Sequence, residues 1–244
     1  MSTQTKPLGL WAALILVLAL HTQPAVAKDV EIQIPSGIST QVFKDFSEEI
    51  GLAISYLPMA PAEPLGILGW DIGVEVTVID IDQGLWSTAA TADPPGTVLF
   101  PKLHLQKGLL FGIDLGASYT KVPQSNIEVI GGELKYAVVS GNVALPAIAI
   151  RGSYTQLRGV DNFDLETYGA DISISKGFAF ITPYAGYGQV WIKSKETAVL
   201  NIDETLNTSK PFVGVKVSLA LINFVFEADF GELPMYTARF NVGF

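Results

Sequence analysis

The chain has 244 residues, of which 49% are apolar and 16% charged, with a formal net charge of −9 and no cysteine. The lack of cysteine excludes a disulfide framework and thiolate chemistry. Net acidity without a basic patch argues against nucleic acid as a partner.

The first 27 residues read as a secretory signal peptide. Lys6 gives the positive start, Leu8 to Leu20 is apolar throughout apart from Gly9, and Ala25-Val26-Ala27 is a small-x-small cleavage triplet. The apolar run is short of the ~20 residues that span a bilayer as a helix. Cleavage after Ala27 would leave a chain that begins at Lys28. No later stretch approaches ~18 uninterrupted apolar residues. Any membrane contact beyond the leader must therefore come from strands, and strands in lipid must close into a barrel to pair their backbone.

Residues 28–68 form a separate N-terminal segment without a long alternating run. Ser39 or Thr40 can cap a short helix that runs to about Ile50 or Ala53. Phe43, Phe46, Ile50 and Ala53 share one face at spacings of three and four. Such a helix would plug the barrel or lie under its periplasmic mouth. Pro58, Pro61 and Pro64 then make a stiff connector.

From residue 69 to 244 the pattern is period two, in about ten segments, with eight or twelve strands as alternatives. Trp70 to Asp80 places Trp70, Ile72, Val74, Val76 and Val78 on one side. Val98 to Lys107, Leu109 to Lys121, Asn126 to Ser140, Ala144 to Gln156 and Leu165 to Lys176 alternate in the same way. Ala179 to Ser194 is less clean, because Tyr187 and Trp191 oppose Val190 and Ile192 in parity. Pro211 to Ala220 and Ile222 to Phe230 follow. The last segment sets Tyr236, Ala238, Phe240, Val242 and Phe244 against Thr237, Arg239, Asn241 and Gly243.

These features predict an all-β fold: a transmembrane, antiparallel, up-and-down β-barrel with a short N-terminal amphipathic helix. Tight turns are expected near Gln106-Lys107-Gly108, Ser140-Gly141-Asn142, Lys176-Gly177 and Leu221. Long outer loops are expected at Ile81 to Thr97 and Lys195 to Ser209. A soluble sandwich would also alternate. Its core, however, would not tolerate a second face so rich in glycine, serine and charge.

The stretches FSEEIGLAISY, APAEPLG, WDIGVEV, FPKLHLQKGLLFGIDLGASYT, GGELKYA, SISKGFAFITPYAGYG and FEADF resemble a family of small, functionally uncharacterised Gram-negative outer-membrane barrel proteins. The likeness runs from about Phe43 to Phe244. It implies location in the bacterial outer membrane, with outer-membrane lipid as a partner, and it brings no activity. The terminal Phe244 on an alternating strand resembles the signal read by the barrel-assembly machinery.

The inward parity collects Asp71, Glu75, Asp114, Glu133, Asp171, Glu227 and Asp229. It also collects Lys102, Lys135, Arg151, Lys193, Lys216 and Arg239, together with His104. Near balance of sign points to an ion-paired interior rather than to the single-sign rings of a selective pore. Arg239 is expected to pair with Glu227 or Asp229 on the adjacent strand. His104, the only histidine after the leader, reads first as a polar member of this network. Its second reading is a general base beside Asp114 or another acid. A single histidine without cysteine leaves no zinc site, and no metal or other cofactor is expected.

Three functions fit. The first is a non-enzymatic barrel with a filled, charged lumen that is structural or presents loops. The second is a narrow passive channel for small solutes, motivated by the small inward residues Gly112, Gly116 and Ser118. The third is a barrel enzyme acting on lipid or peptide, which rests on His104 alone.

Overall fold

The computed structural model describes residues 32, 34–35, 38–89, 94, 96–123, 125–198 and 201–244. The expected signal segment and the cleavage expected after Ala27 lie outside the described residues. Ten strands follow a first helix, α1 (Thr40–Ile54). They are β1 (Trp70–Asp80), β2 (Thr97–Gly108), β3 (Ile113–Lys121), β4 (Glu128–Val139), β5 (Ala147–Arg158), β6 (Phe163–Ser175), β7 (Ile181–Glu196), β8 (Ile202–Leu219), β9 (Ile222–Asp229) and β10 (Met235–Gly243). A second short helix, α2 (Gln83–Ala89), lies between β1 and β2.

Each strand pairs antiparallel with its chain neighbours, and β1 pairs with β10 to close the barrel. The closing register sets Val74 beside Phe240 and Glu75 beside Arg239. Apolar and polar residues therefore keep to the same faces across the seam. Outward positions such as Ile72, Val74, Leu103, Leu134, Ile172, Phe226 and Phe240 are apolar and exposed, whereas the charged alternates are buried inside. A period-two strand has no other way to divide its side chains.

Four expectations are corrected. Leu109 to Lys121 is not one strand: Leu110–Gly112 is a 3-10 turn in which Phe111 (φ 62°) and Gly112 (φ 74°) are left-handed to reverse the chain. Gly112 is therefore a turn residue, not an inward small one. Lys195 to Ser209 is not a loop, because β7 runs to Glu196 and β8 starts at Ile202. That hairpin continues the backbone ladder beyond the apolar belt with polar outward residues, so no apolar alternation marks it. Pro211 lies inside β8, opposite Tyr187. Lys193 faces outward, its ammonium 4.9 Å from the centre of the Tyr168 ring. This settles the parity of β7: Tyr187 and Trp191 are outside, and Val190 and Ile192 are buried inside.

The Ile81 to Thr97 connection holds α2, capped by Asp82, whose Oδ1 accepts from the Gly84 and Leu85 N–H groups at 2.9 and 3.2 Å. Ser39 caps α1, its Oγ accepting from Val42 N–H at 3.3 Å. α1 lies in the mouth at the end of the barrel that carries α2 and the long β7–β8 hairpin. Of the two positions expected for it, inside the barrel or under the tight-turn mouth, the helix takes the first, in the mouth opposite the tight turns. Phe43 packs edge-on against Phe163 with centroids 5.9 Å apart, and Phe46 against Trp86 at 5.4 Å. Gly51 lies so close to β7 that a Cβ there would stand 2.5 Å from Ile192 Cγ2. The inward apolar residues Val190, Ile192 and Val225 belong to the hydrophobic core that includes α1.

Candidate functional site

From Ser55 the chain runs down the lumen to Trp70, where β1 begins. Its contacts descend in order. Ser55 and the Tyr56 carbonyl meet Lys210, the Met59 N–H meets Glu227, the Ala62 N–H meets Ser175, and the Leu65 N–H meets Asp114. At the bottom, Trp70 and Phe244 exchange two backbone hydrogen bonds of 3.0 Å each. Upstream, Ile32 is held at the plugged mouth by Asn126, which accepts from its N–H at 3.1 Å and donates to its carbonyl at 3.3 Å. The N-terminal segment therefore threads the whole barrel.

The wall recognises this segment chiefly through its backbone. Carboxylates take the N–H groups: Glu227 that of Met59 at 3.0 Å, Asp114 that of Leu65 at 3.1 and 3.2 Å. Ammonium groups take the carbonyls: Lys135 those of Pro61 and Glu63 at 3.0 and 3.1 Å, Lys210 that of Tyr56 at 2.7 Å. Charge-assisted bonds of this kind are stronger than neutral ones. They explain how an extended segment without ladder partners stays buried.

Most of the predicted inward charges fall into three groups. In the first, Glu75 pairs with Lys102 at 3.0 Å and contacts His104 Nδ1 at 3.3 Å, while Arg239 reaches His104 Nδ1 at 3.1 Å and Asp71 at 3.6 Å. In the second, Lys135 pairs with Asp114 at 2.9 Å, and Arg151 with Glu133 at 3.0 Å and Asp171 at 3.8 Å. In the third, Lys210 lies 4.0 Å from Asp229, and Glu227 accepts from the Tyr184 hydroxyl at 2.7 Å. Arg239 thus pairs with Asp71, not with Glu227 or Asp229. The register explains it: Arg239 stands opposite Val225 on β9 and opposite Glu75 on β1. His104 contacts Glu75, not Asp114. Lys216 is half-buried at the tight-turn end, beside a cavity of about 240 Å³ that Asp71, Lys135 and Arg239 also line.

His104 has no free nitrogen. Its Nε2 lies 3.0 Å from the Tyr56 hydroxyl. Its Nδ1 lies between a donor and an acceptor, Arg239 at 3.1 Å and the Glu75 carboxylate at 3.3 Å, which call for opposite tautomers of the ring. Ser118 stands opposite His104 in the β2–β3 register, but the histidine is already engaged elsewhere.

Tyr56 was not legible as a site residue, since nothing in the connector marks it. The wall fits its ring: a Cβ on Gly116 would stand 2.8 Å from its hydroxyl, and one on Gly131 would stand 3.1 Å from Cδ2. The small inward residue that suggested a solute path is instead a socket for the protein's own tyrosine. Lys210 was also missed, because its segment read as loop. Extending the parity of β8 backwards through Pro211 would have placed it inside.

Outside the strands, α1 carries two perturbed carboxylates. Burial pushes Glu49 above its ordinary value, partly opposed by hydrogen bonds from the Asp82 N–H and Trp86 Nε1, each 2.9 Å from Oε1. Glu48 is raised by burial and then by Glu232 and Asp45. A carboxylate with a raised folded pKa holds its proton better when seated than when free. Seating is therefore strongest below the ordinary pKa and weakens as pH rises through the raised one. Protection factors of the α1 amides, taken relative to the intrinsic exchange rate at each pH, should rise on acidification towards that range. Glu49→Gln, which keeps an acceptor and removes the charge, should flatten the dependence.

No protein-family model and no curated protein matches the chain. Among solved structures it is similar to the N-terminal β-barrel domain of Pseudomonas aeruginosa OprF, with 10% identity and a TM-score of 0.35, over 71% of this chain and 97% of that one. It is similar to the KdgM porin with 11% identity and a TM-score of 0.37, over 71% and 99%. The Neisserial surface protein A gives 9% identity and a TM-score of 0.31, over 72% and 97%.

Proposed function

We propose that the chain is an integral barrel of the bacterial outer membrane, non-enzymatic and closed by its own N-terminal segment. Its roles are to hold a stable wall in the envelope and to present the loops of the plugged end outside. The observation that carries this is the filled middle of the lumen. Beside Tyr56, Pro58, Asp171 and Lys210 only about 10 Å³ remains, at the lower limit for a single water. The apolar outer face supports the membrane setting, since soluble proteins seldom expose so large an apolar surface. Short turns inside and longer loops outside are the habit of such barrels. On that orientation the N-terminus would leave the signal peptidase, thread the barrel and open outwards. Phe244, which seals the seam with its ring 5.6 Å from that of Trp70, would be the handle for the assembly machinery.

His104 supports the non-enzymatic reading, because both of its nitrogens are spent on positioning Tyr56 and Arg239. The test is electrical. The full mature chain, reconstituted in a planar bilayer, should show no steady conductance. Reproducible ohmic steps would favour the narrow passive channel instead.

A further inference from the structure

At the tight-turn end of the barrel the turns present apolar side chains around a mouth lined by Asp71, Lys216 and Arg239. Each connection there exposes a large hydrophobe: Leu68 before β1, Phe111 between β2 and β3, Val143 between β4 and β5, Phe178 between β6 and β7, and Leu221 between β8 and β9, with Phe244 at the seam. Phe111 is 85% exposed and Val143 100%. Scattered single hydrophobes on a surface need no explanation, but a closed ring of them does.

The backbone of this ring is tied up internally. Lys176 Nζ donates to the carbonyls of Asn142, Val143 and Leu145 at 2.7, 2.8 and 3.2 Å. Lys107 Nζ donates to those of Ile67 and Gly69 at 2.8 and 3.1 Å. Asn142 Oδ1 takes the Ala144 and Leu145 N–H groups. The Phe180 and Leu221 carbonyls accept from Ser218 and Gly243 of the adjoining strands at 2.8 and 2.9 Å. A turn in water has no need of such partners, whereas a turn in lipid has no alternative to them.

The height of the apolar belt agrees. Its upper limit is the outward Tyr168–Trp191 pair, above which Glu166 and Lys193 face out. The β6–β7 ladder ends at the Ser175–Tyr184 pair, and the Phe178–Ile181 bridge lies beyond it. At a strand rise of about 3.3 Å and a tilt of about 40°, the ladder end lies about 18 Å below the upper limit and the bridge about 25 Å below it. The apolar band of an outer-membrane barrel is about 25 Å tall. The strands alone fall short, and the turns complete it.

We infer that the tight turns are seated in the acyl layer of the inner leaflet, so that phospholipid, not water or a periplasmic protein, covers this rim. This rests on the membrane-barrel reading above. Lys107 and Lys176 then serve as the hydrogen-bond donors that satisfy the turn carbonyls.

The chain has no cysteine, so single nitroxide labels can be placed without altering the background. The full mature chain would carry a label at Phe111→Cys, Val143→Cys or Phe178→Cys in phosphatidylcholine vesicles. Collision with oxygen and with a water-soluble nickel chelate is then compared by electron paramagnetic resonance. Val74→Cys, outward in mid-strand, is the lipid reference, and Ser87→Cys, exposed on α2, is the aqueous one. The rim labels should match Val74, with oxygen strongly favoured over nickel. If they match Ser87 while Val74 favours oxygen, the rim lies in water and this inference fails alone. If Val74 itself favours nickel, the membrane-barrel reading fails, and the inference with it.

Discussion

Removing residues 38–66 should convert an electrically silent barrel into one with steady conductance in a planar bilayer. Those residues supply α1 and the connector, and nearly everything in the middle of the lumen that is not wall. Eight-stranded barrels are just filled by their own side chains, and this one has ten strands. With the segment gone, the sockets at Gly116 and Gly131 become bore. The deletion also bares Phe163, Val190 and Ile192 to water, which threatens assembly. Gly51→Trp is therefore the companion variant. It adds bulk where a Cβ alone would stand 2.5 Å from Ile192, and it should lift α1 from the mouth and give brief openings. If both variants fold, as judged by heat-modifiable migration on gels, and both remain silent, the segment does not close a pore.

Lys135→Met should be the most damaging single substitution in the lumen, costing about 3–5 kcal/mol as a broken buried ion pair does. The ammonium sits between Asp114 at 2.9 Å and the Pro61 and Glu63 carbonyls at 3.0 and 3.1 Å. Its loss leaves a buried carboxylate without its cation and two connector carbonyls without a donor. Urea unfolding in detergent micelles should show a lowered midpoint. Adding Asp114→Asn should recover part of it, because the uncompensated charge is then gone while the Leu65 N–H keeps an acceptor. A single mutant as stable as wild type would mean that Lys135 does not tie plug to wall.

Much of the barrel was legible because the constraint on its outside is local. An outward side chain must be apolar whatever its neighbours are, so Trp70 to Asp80 and Tyr236 to Phe244 declare their faces without knowledge of the register. The same parity put Asp71, Glu75, His104, Arg151 and Arg239 inside correctly. It failed where the outer face turns polar, from Ile202 to Lys210, since a hairpin in water carries no such mark. Hence Lys210 was missed and Lys193 misplaced. The helix and its Ser39 cap were legible for the same reason, being set within a few residues of one another.

The interior is a different problem. Parity says which way a side chain points but not what it meets. That depends on register and on a segment distant in sequence, as when Tyr56 closes on Gly116, Gly131 and His104, or Arg239 turns from the acids of β9 to Asp71 on β1. By itself the sequence determined a barrel with an apolar outside, a charged inside and a helix ahead of it. Only the tertiary structure decided that the helix and its connector fill that inside, because packing in a lumen is a mutual fit among residues that share no local pattern.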